Sequence, residues 1–185
     1  MIEGVMVNLK KMDESDIEQV RQWRNSKEVS EHMISQEFIS QEEQINWFNE
    51  VKISKTQFYF IIQSKKKKKL GVVNFSNIDI KNNSAEPGLY IGEKSDRNSL
   101  FGMEAYYLIL KYGFEELKLD KVYGTVLSSN STAMKMNKSF GYKVDEILRD
   151  SILINGISQN LIKLFLLKND FYTSQMVSFF CRSTP

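Results

Sequence analysis

A polar loop that runs directly into a long apolar segment is the most informative chemical feature of this sequence. Residues 97–105 read RNSLFGMEA, and apolar residues recur at helical spacing from there to Leu117. The first turn of a helix exposes unpaired N–H groups and the positive end of the helix dipole, and Arg97 adds a positive charge. The segment is suited to hold a pyrophosphate, and an ordinary strand-to-helix turn is the alternative interpretation.

A second polar motif lies at residues 130–142, which read NSTAMKMNKSFGY. Asn130 is suited to cap a helix, and we predict a short helix over 132–139 followed by a strand that begins at Tyr142. Either motif alone is weak evidence for a function, whereas both in this order are more specific.

The two motifs together resemble the signatures of the GCN5-related N-acetyltransferase (GNAT) family. The acetyl-CoA loop of that family is written Gln or Arg, two residues, Gly, one residue, Gly or Ala, and Arg97, Leu100 and Gly102 fall on its three defined positions. Asn130 and Ala133 match the Asn-x-x-Ala of the second signature. The resemblance covers roughly residues 5–168 and implies direct transfer of an acetyl group from acetyl-CoA to an amine.

The resemblance also implies where acetyl-CoA binds. In this family a bulge separates two central strands and the cofactor enters between them, so Pro87 and Gly88 would make the opening. Asn130 would bond the cofactor near its thioester. The full set of implied acetyl-CoA-binding residues is Leu89, Tyr90, Ile91, Arg97, Asn98, Ser99, Leu100, Phe101, Gly102, Met103, Asn130 and Met136.

Two positions depart from the family pattern. Leu100 stands where the pattern has its first glycine, so a positive φ at this position would strain the loop. Asn137 stands where many members carry the tyrosine that protonates the leaving thiolate, and an amide cannot act as an acid. We expect Asn137 to donate a hydrogen bond on the thiolate side, with the proton coming through water or another tyrosine, or with the thiolate leaving unassisted.

Glu86 is our candidate for the base that takes the proton of the amine. Strand alternation places it on one face with Gly88 and Tyr90, just before the expected opening. A surface carboxylate paired with a lysine is the alternative interpretation. His32, the one imidazole of the chain, is a second candidate for proton transfer, and a surface histidine is its alternative.

The first third of the chain is similar to the acetyltransferases of the pseudaminic acid pathway, which act on a UDP-linked 4-amino-4,6-dideoxy sugar. The likeness lies in residues 23–25 (WRN), in Met33 and residues 38–40 (FIS), and beyond the first third in residues 71–72 (GV) and 88–90 (GLY). It implies a nucleotide-sugar acceptor whose phosphates meet a guanidinium and whose methyl group meets apolar side chains. The implied acceptor-binding residues are Arg24, Met33, Trp47, Ser76, Asn77 and Tyr90.

Other functions stay open at this point. Within the enzyme class the alternative is acetylation of a protein N-terminus or of another small amine. Outside it, Leu100 and Asn137 are compatible with a domain that binds a CoA ester or a partner protein without catalysis. A structural α/β domain of unknown role is the third alternative.

The elements that must position these residues read as an α/β (α+β) fold, a single GNAT-type domain over 1–168 with a C-terminal tail of unknown role over 169–185. We predict a mixed, mostly antiparallel, seven-stranded sheet that is splayed at a central bulge. The expected strands are 6–9, 56–63, 70–80, 84–92, 121–127, 142–148 and 161–167, and the expected four helices are 17–25, 41–51, 101–117 and 132–139.

Composition excludes several functions. The chain has 185 residues with 25 Lys and Arg against 23 Asp and Glu, and five of the lysines are consecutive at 65–69, which argues against a nucleic-acid surface. No apolar run approaches the roughly 20 residues of a membrane span, and the first residues do not resemble a secretory signal. With one cysteine, Cys181, and one histidine we expect no disulfide, no metal, and a reducing, cytoplasmic setting. The aromatic tail leaves a homodimer possible.

Overall fold

The computed structural model describes residues 1–97 and 100–182, which form one mixed sheet with helices against both faces. The strands are β1 (Ile2–Glu3), β2 (Val7–Lys11), β3 (Phe58–Ser64), β4 (Lys69–Asp79), β5 (Ser84–Ile91), β6 (Lys121–Leu127), β7 (Lys143–Ile154) and β8 (Ile157–Leu167). The helices in this part of the chain are α1 (Ile17–Asn25), α2 (Lys27–Ser30), α3 (Gln41–Ile53), α4 (Phe101–Glu115), α5 (Ser131–Ser139), α6 (Lys168–Tyr172) and α7 (Gln175–Arg182). The strand order across the sheet is β1-β2-β3-β4-β5-β6-β8-β7.

The predicted fold class, a mostly antiparallel α/β sheet in one GNAT-type domain, is confirmed. The structure adds one strand, β1, and three helices, α2, α6 and α7, to the elements that the sequence indicated. β1 and α2 are too short to carry a periodic pattern, with two and four residues respectively. The two C-terminal helices lie in the segment whose aromatic residues show no clear period.

Strands β3 and β4 are buried on both faces, which explains their uninterrupted apolar runs. Because side chains alternate between the two faces of a strand, Phe60 and Ile62 pack in the main core with α4, whereas Ile61 packs on the opposite face with Trp23 of α1 and Phe48 of α3. The sheet is therefore a middle layer between α4 on one side and α1 to α3 on the other.

The neighbouring strands β5 and β6 separate soon after they begin. They are parallel and pair at only two positions, Ser84 with Lys121 and Ala85 with Val122, whereas the other strand pairs are antiparallel. Residues 86–91 of β5 keep β4 as a partner on one side and have no strand partner on the side of β6. The separation leaves a V-shaped opening in the middle of the sheet.

The bulge that we expected at Pro87 and Gly88 is not there. Both residues pair in regular register with β4, and the register shifts instead between Ser76 and Asp79, where Asn77 has a φ of +51°. The extra residue therefore lies in β4. A proline is tolerated in this central strand because β6 has already left β5.

Helix α4 is fixed against the first strands by one buried carboxylate. Glu104 is 2% exposed, and its oxygens accept hydrogen bonds of 2.7 to 2.8 Å from the backbone N–H groups of Val5, Met6 and Val7. A buried carboxylate without such partners is costly. These three bonds hold the first turn of α4 at a fixed height beside the opening.

Residues 168–182 are ordered as α6 and α7 and contribute to the main core. Phe171 is fully buried, and Val177 and Phe180 are 6% and 4% exposed. Phe180 stacks on Tyr107 of α4 with a centroid distance of 4.9 Å. The aromatic residues of this segment pack onto the back of α4, so the helices belong to the same core as the sheet.

Within 1–97 and 100–182, no helix combines the length and the apolar character that crossing a membrane requires.

Candidate active site

A cavity of about 840 Å³ occupies the opening between β5 and β6. Residues 86–91 of β5 form one wall and residues 124–127 of β6 form the other. The first turn of α4 and one face of α5 close one end, and residues of α1, α2 and the segment after α2 close the other. Elements far apart in the sequence therefore meet around a single space.

Most of the predicted acetyl-CoA-binding residues lie on this cavity. Those on its wall are Leu89, Tyr90, Ile91, Arg97, Gly102, Met103, Asn130 and Met136. Leu100 lines a smaller cavity of about 380 Å³ on the other side of α4, and the side chain of Phe101 packs against the main core. Asn98 and Ser99 lie outside the described residues.

Leu100 does not have the positive φ that would have strained the loop. Leu100 is the N-cap of α4 with φ −73° and ψ 0°, a right-handed conformation that any residue adopts. Its side chain is 46% exposed and its backbone C=O accepts from the Glu104 N–H at 2.9 Å. The substitution of glycine at this position therefore does not distort the described backbone.

The start of α4 has the features of an anion-binding helix end. Leu100 provides no side-chain cap, so the N–H groups of the first turn have no partner from the N-cap side chain. Arg97 also lies on the cavity wall, where its Nε donates to the Ile91 C=O at 3.2 Å. This bond holds the guanidinium between the end of β5 and the start of α4, where it faces the cavity.

Asn130 has a structural task as well as a place on the cavity wall. Its Oδ1 accepts from the Ala133 N–H at 3.0 Å and caps α5. A contact of Asn130 with the cofactor would therefore use the amide nitrogen rather than the oxygen.

Four of the six predicted acceptor-binding residues line the other end of the cavity: Arg24, Met33, Ser76 and Tyr90. Trp47 and Asn77 do not. Trp47 packs edge-on against Tyr59 with a centroid distance of 4.8 Å, as part of the core on the α1 face. Asn77 is exposed at the bulge in β4, and its side-chain amide donates a hydrogen bond to Glu86, which lines the cavity.

The hydroxyl of Tyr90 is buried, and the described residues give it no hydrogen-bond partner. Burial raises the pKa of Tyr90 above its usual value near 10, and the positive charge of Arg24 partly opposes this rise. The hydroxyl is therefore a neutral donor on the cavity wall. Arg24 itself makes one long contact of 3.5 Å, from Nη2 to the Ser35 C=O.

Glu86 lies where the strand pattern placed it, half-buried on the cavity wall. The Asn77 amide donates to Glu86 Oε2 at 3.0 Å, and the Ser76 hydroxyl donates to the Glu86 backbone C=O at 3.3 Å. The negative charge of Glu86 contributes to raising the pKa of Tyr59, Tyr106 and Tyr142. The carboxylate therefore lies within electrostatic range of Tyr106 and Tyr142, which line the same cavity.

Asn137 is 6% exposed on the cavity wall, and two tyrosines that sequence reasoning did not single out lie beside it. The Tyr106 hydroxyl donates to Asn137 Oδ1 at 3.3 Å and lies 2.8 Å from the Tyr142 hydroxyl. Tyr106 follows Gly102 by one helical turn, and Tyr142 is the last residue of the second motif. Their positions relative to the two motifs were the sequence features that could have indicated a place in the site.

Two charged or titratable side chains complete the acceptor end. His32 lies on the cavity wall with its side chain 52% exposed, and its Nε2 is 3.7 Å from Glu31. Glu28, which the sequence did not single out, lies on the wall and is exposed. The acceptor end therefore carries Arg24 together with the carboxylates of Glu28 and Glu86.

The described residues fit acetyl-CoA. The side of β5 that faces away from β4 offers backbone groups of residues 86–91 to an extended pantetheine arm, and the positive end of the α4 dipole beside Arg97 suits a pyrophosphate. When bound, acetyl-CoA supplies a thioester whose acyl carbon accepts a nucleophile.

Comparison with known proteins identifies the family. Residues 7–143 match the acetyltransferase (GNAT) domain family. The chain belongs to this family and is an acetyl-CoA-dependent N-acetyltransferase.

Individual relatives are distant. The chain is 25% identical over 169 residues to the uncharacterized N-acetyltransferase p20 of Bacillus licheniformis, covering 89% of this chain and 94% of p20. It is 28% identical over 131 residues to the acetyltransferase PseH of Campylobacter jejuni, covering 70% and 78%. The structure of the Vibrio cholerae spermidine N-acetyltransferase with CoA and spermine has a TM-score of 0.85 at 20% identity, covering 91% and 99%, and confirms the fold.

We expect Arg97→Ala to weaken CoA binding about tenfold or more, because a hydrogen bond to a charged group contributes about 1.5–3 kcal/mol. Isothermal titration with CoA measures the change. Lys94→Ala is the matched control, since Lys94 is an exposed cation of the same turn that does not line the cavity. Equal affinities of wild type and Arg97→Ala would remove Arg97 from the cofactor site.

Proposed function

We propose that this enzyme acetylates the amine of a nucleotide-linked amino sugar, with Glu86 as the base. The observation that supports this acceptor most is that Arg24 and Tyr90 share the cavity wall, and that the Tyr90 hydroxyl has no hydrogen-bond partner among the described residues. A guanidinium binds a diphosphate through parallel hydrogen bonds, and a buried tyrosine suits a sugar hydroxyl or amide oxygen. The relative PseH, named above, is consistent with the proposal.

Apolar side chains beside Arg24 agree with a deoxy-sugar. Met33, Val29 and Ile34 line the same end of the cavity. A methyl-bearing sugar edge would be covered by them, whereas a fully hydroxylated sugar would leave hydroxyl groups against apolar walls. The cavity volume of about 840 Å³ lies within the range of small-molecule sites.

In the proposed mechanism, the residues of this chain position the reactants and handle one proton. Glu86 accepts the proton of the amine as its nitrogen bonds to the acyl carbon, and the Asn77 amide holds Oε2 so that the other oxygen can point inward. The backbone of residues 89–91 orients the thioester, and developing charge on its oxygen is stabilised by fixed donors. Asn137 lies on the thiolate side.

Glu86→Gln is expected to lower kcat roughly 100-fold with little change in either KM, because general bases contribute about 10²–10⁴ in rate. Thiol release from acetyl-CoA, followed at saturating acceptor, measures it. Glu50→Gln on the exposed side of α3 is the control with the same change of charge. Full activity in Glu86→Gln would show that another group takes the proton.

A polyamine is the second candidate acceptor, because Glu28 and Glu86 place two carboxylates at the acceptor end. A cationic chain gains from both, whereas a diphosphate is repelled by them. The spermidine N-acetyltransferase whose fold this chain shares gives this alternative a precedent.

A pair of variants separates the two acceptors. With a panel of UDP-4-amino sugars, polyamines and N-terminal peptides, we expect turnover on an amino sugar. Arg24→Ala should raise the KM for that acceptor about tenfold, because one charge-assisted hydrogen bond is lost. Glu28→Gln should leave this KM unchanged or lower it.

The opposite result would favour the polyamine. Turnover on spermidine, with a KM that rises in Glu28→Gln and is unchanged or lower in Arg24→Ala, would replace the amino sugar as the acceptor. Turnover on the peptides alone would contradict both candidates.

A further inference from the structure

Three buried side chains on the cavity wall form a hydrogen-bonded chain that joins α4, α5 and the start of β7. Tyr106, Asn137 and Tyr142 are 4%, 6% and 8% exposed. The Tyr106 hydroxyl lies 3.3 Å from Asn137 Oδ1 and 2.8 Å from the Tyr142 hydroxyl. The Tyr142 backbone N–H also donates to the Asn137 backbone C=O at 3.1 Å. The side chains and backbone therefore hold Asn137 in one orientation.

The number of hydrogens sets the direction of this chain. A hydroxyl has one hydrogen to donate, and Tyr106 donates it to Asn137 Oδ1. The hydrogen between the two tyrosines therefore comes from Tyr142, and the order of donation is Tyr142 to Tyr106 to Asn137. Along such a chain each bond polarises the next. The amide nitrogen of Asn137, which makes no hydrogen bond to the described residues, is the donor left at the end.

The three hydrogen-bonded side chains line the same cavity as the proposed base. Glu86 is close enough for its charge to contribute to raising the pKa of both Tyr106 and Tyr142. Glu86 and the three side chains all line one cavity, Glu86 from β5 and Asn137 from α5. A thioester bound between Glu86 and Asn137 would present its acyl carbon to an amine beside Glu86 and its sulfur to Asn137.

We propose that the Asn137 amide, oriented and polarised by Tyr106 and Tyr142, donates a hydrogen bond to the thiolate sulfur as it leaves. The inference rests on the proposed active site and deepens it. Asn137 is the residue that touches the sulfur, and the two tyrosines are positioning residues that act through it.

Acetyl transfer can be written as a balanced reaction in which no side chain of the protein acts as an acid. The amine lone pair forms the N–C bond, the C–S bond breaks with its electron pair on sulfur, and Glu86 takes the proton from nitrogen. Burial raises the pKa of Tyr106 and Tyr142 above the usual tyrosine value, whereas a thiol has a pKa near 8.5. Proton transfer from either tyrosine to the sulfur is therefore uphill. Water protonates the thiolate, and Glu86 releases its proton to water.

The test measures kcat and KM for acetyl-CoA, with the amine that gives turnover in the acceptor panel. Tyr106→Phe is expected to lower kcat roughly tenfold with KM for acetyl-CoA unchanged, somewhat less than the loss of a direct oxyanion donor. Tyr142→Phe should have a smaller effect because it acts through Tyr106. The double variant should lose no more than Tyr106→Phe alone.

Tyr107→Phe is the matched control. Tyr107 is the next residue of α4 and is also buried, but its hydroxyl faces Cys181 at 3.8 Å and it lines the smaller cavity. Its kcat should equal that of the wild type. CoA binding and thermal unfolding of every variant identify any loss of folding.

Asn137→Asp keeps the test decisive if a phenylalanine variant does not fold. It retains an oxygen acceptor for Tyr106 and replaces the N–H donor with a second oxygen, so kcat should fall at least tenfold while CoA still binds. Wild-type kcat in both Tyr106→Phe and Asn137→Asp would overturn the inference.

An alkaline decline of kcat that disappears in Tyr106→Phe would also overturn it, because Tyr106 would then be the acid itself. Absence of acetyl transfer by the wild type to every amine would overturn the proposed function together with this inference. Normal wild-type turnover with unaffected variants would overturn this inference alone.

Discussion

The proposed site depends on the absence of strand pairing between β6 and most of β5. After two pairs, β6 leaves β5, and the backbone of residues 86–91 loses one of its two neighbours in the sheet. Unpaired backbone groups inside a protein need partners, and an extended cofactor arm can supply them where a strand would have been. The same separation brings the first turn of α4, the capped start of α5 and the helices of the first third to one cavity. Binding and catalysis therefore share a single structural cause.

Around that opening, the two faces of β5 carry different sets of side chains. Pro87, Leu89 and Ile91 alternate with Glu86 and Tyr90, and the second set shares its face with α1 to α3. Glu86, the proposed base, and Tyr90 thus lie on the face of the proposed acceptor end, whereas Arg97 lies beyond the end of the strand. Fixed placement of this kind suits a reaction in which orientation supplies much of the rate.

The sequence predicted the fold, and most of the residues that it indicated for the cofactor line one cavity, because both follow from local patterns. Loop and cap motifs at Arg97 and Asn130 are contiguous in the chain, and the strands have clear apolar runs. The features that the sequence did not predict depend on packing between residues far apart in the chain. Trp47 packs against Tyr59 and does not line the cavity, and the bulge lies in β4 rather than in β5. The Tyr106 hydroxyl lies beside the Tyr142 hydroxyl although the two residues are far apart in the sequence. At Leu100 the condition for strain, a positive φ, is not met, because a glycine position in a motif does not by itself require a positive φ.

The central claim is that acetyl-CoA occupies the opening between β5 and β6, and amide hydrogen exchange tests it directly. With acetyl-CoA added, we expect slower exchange in residues 86–91 and in the first turn of α4, and unchanged exchange in the exposed strand β7. Unchanged exchange in residues 86–91, with protection confined to the smaller cavity beside Phe179 and Phe180, would contradict the account.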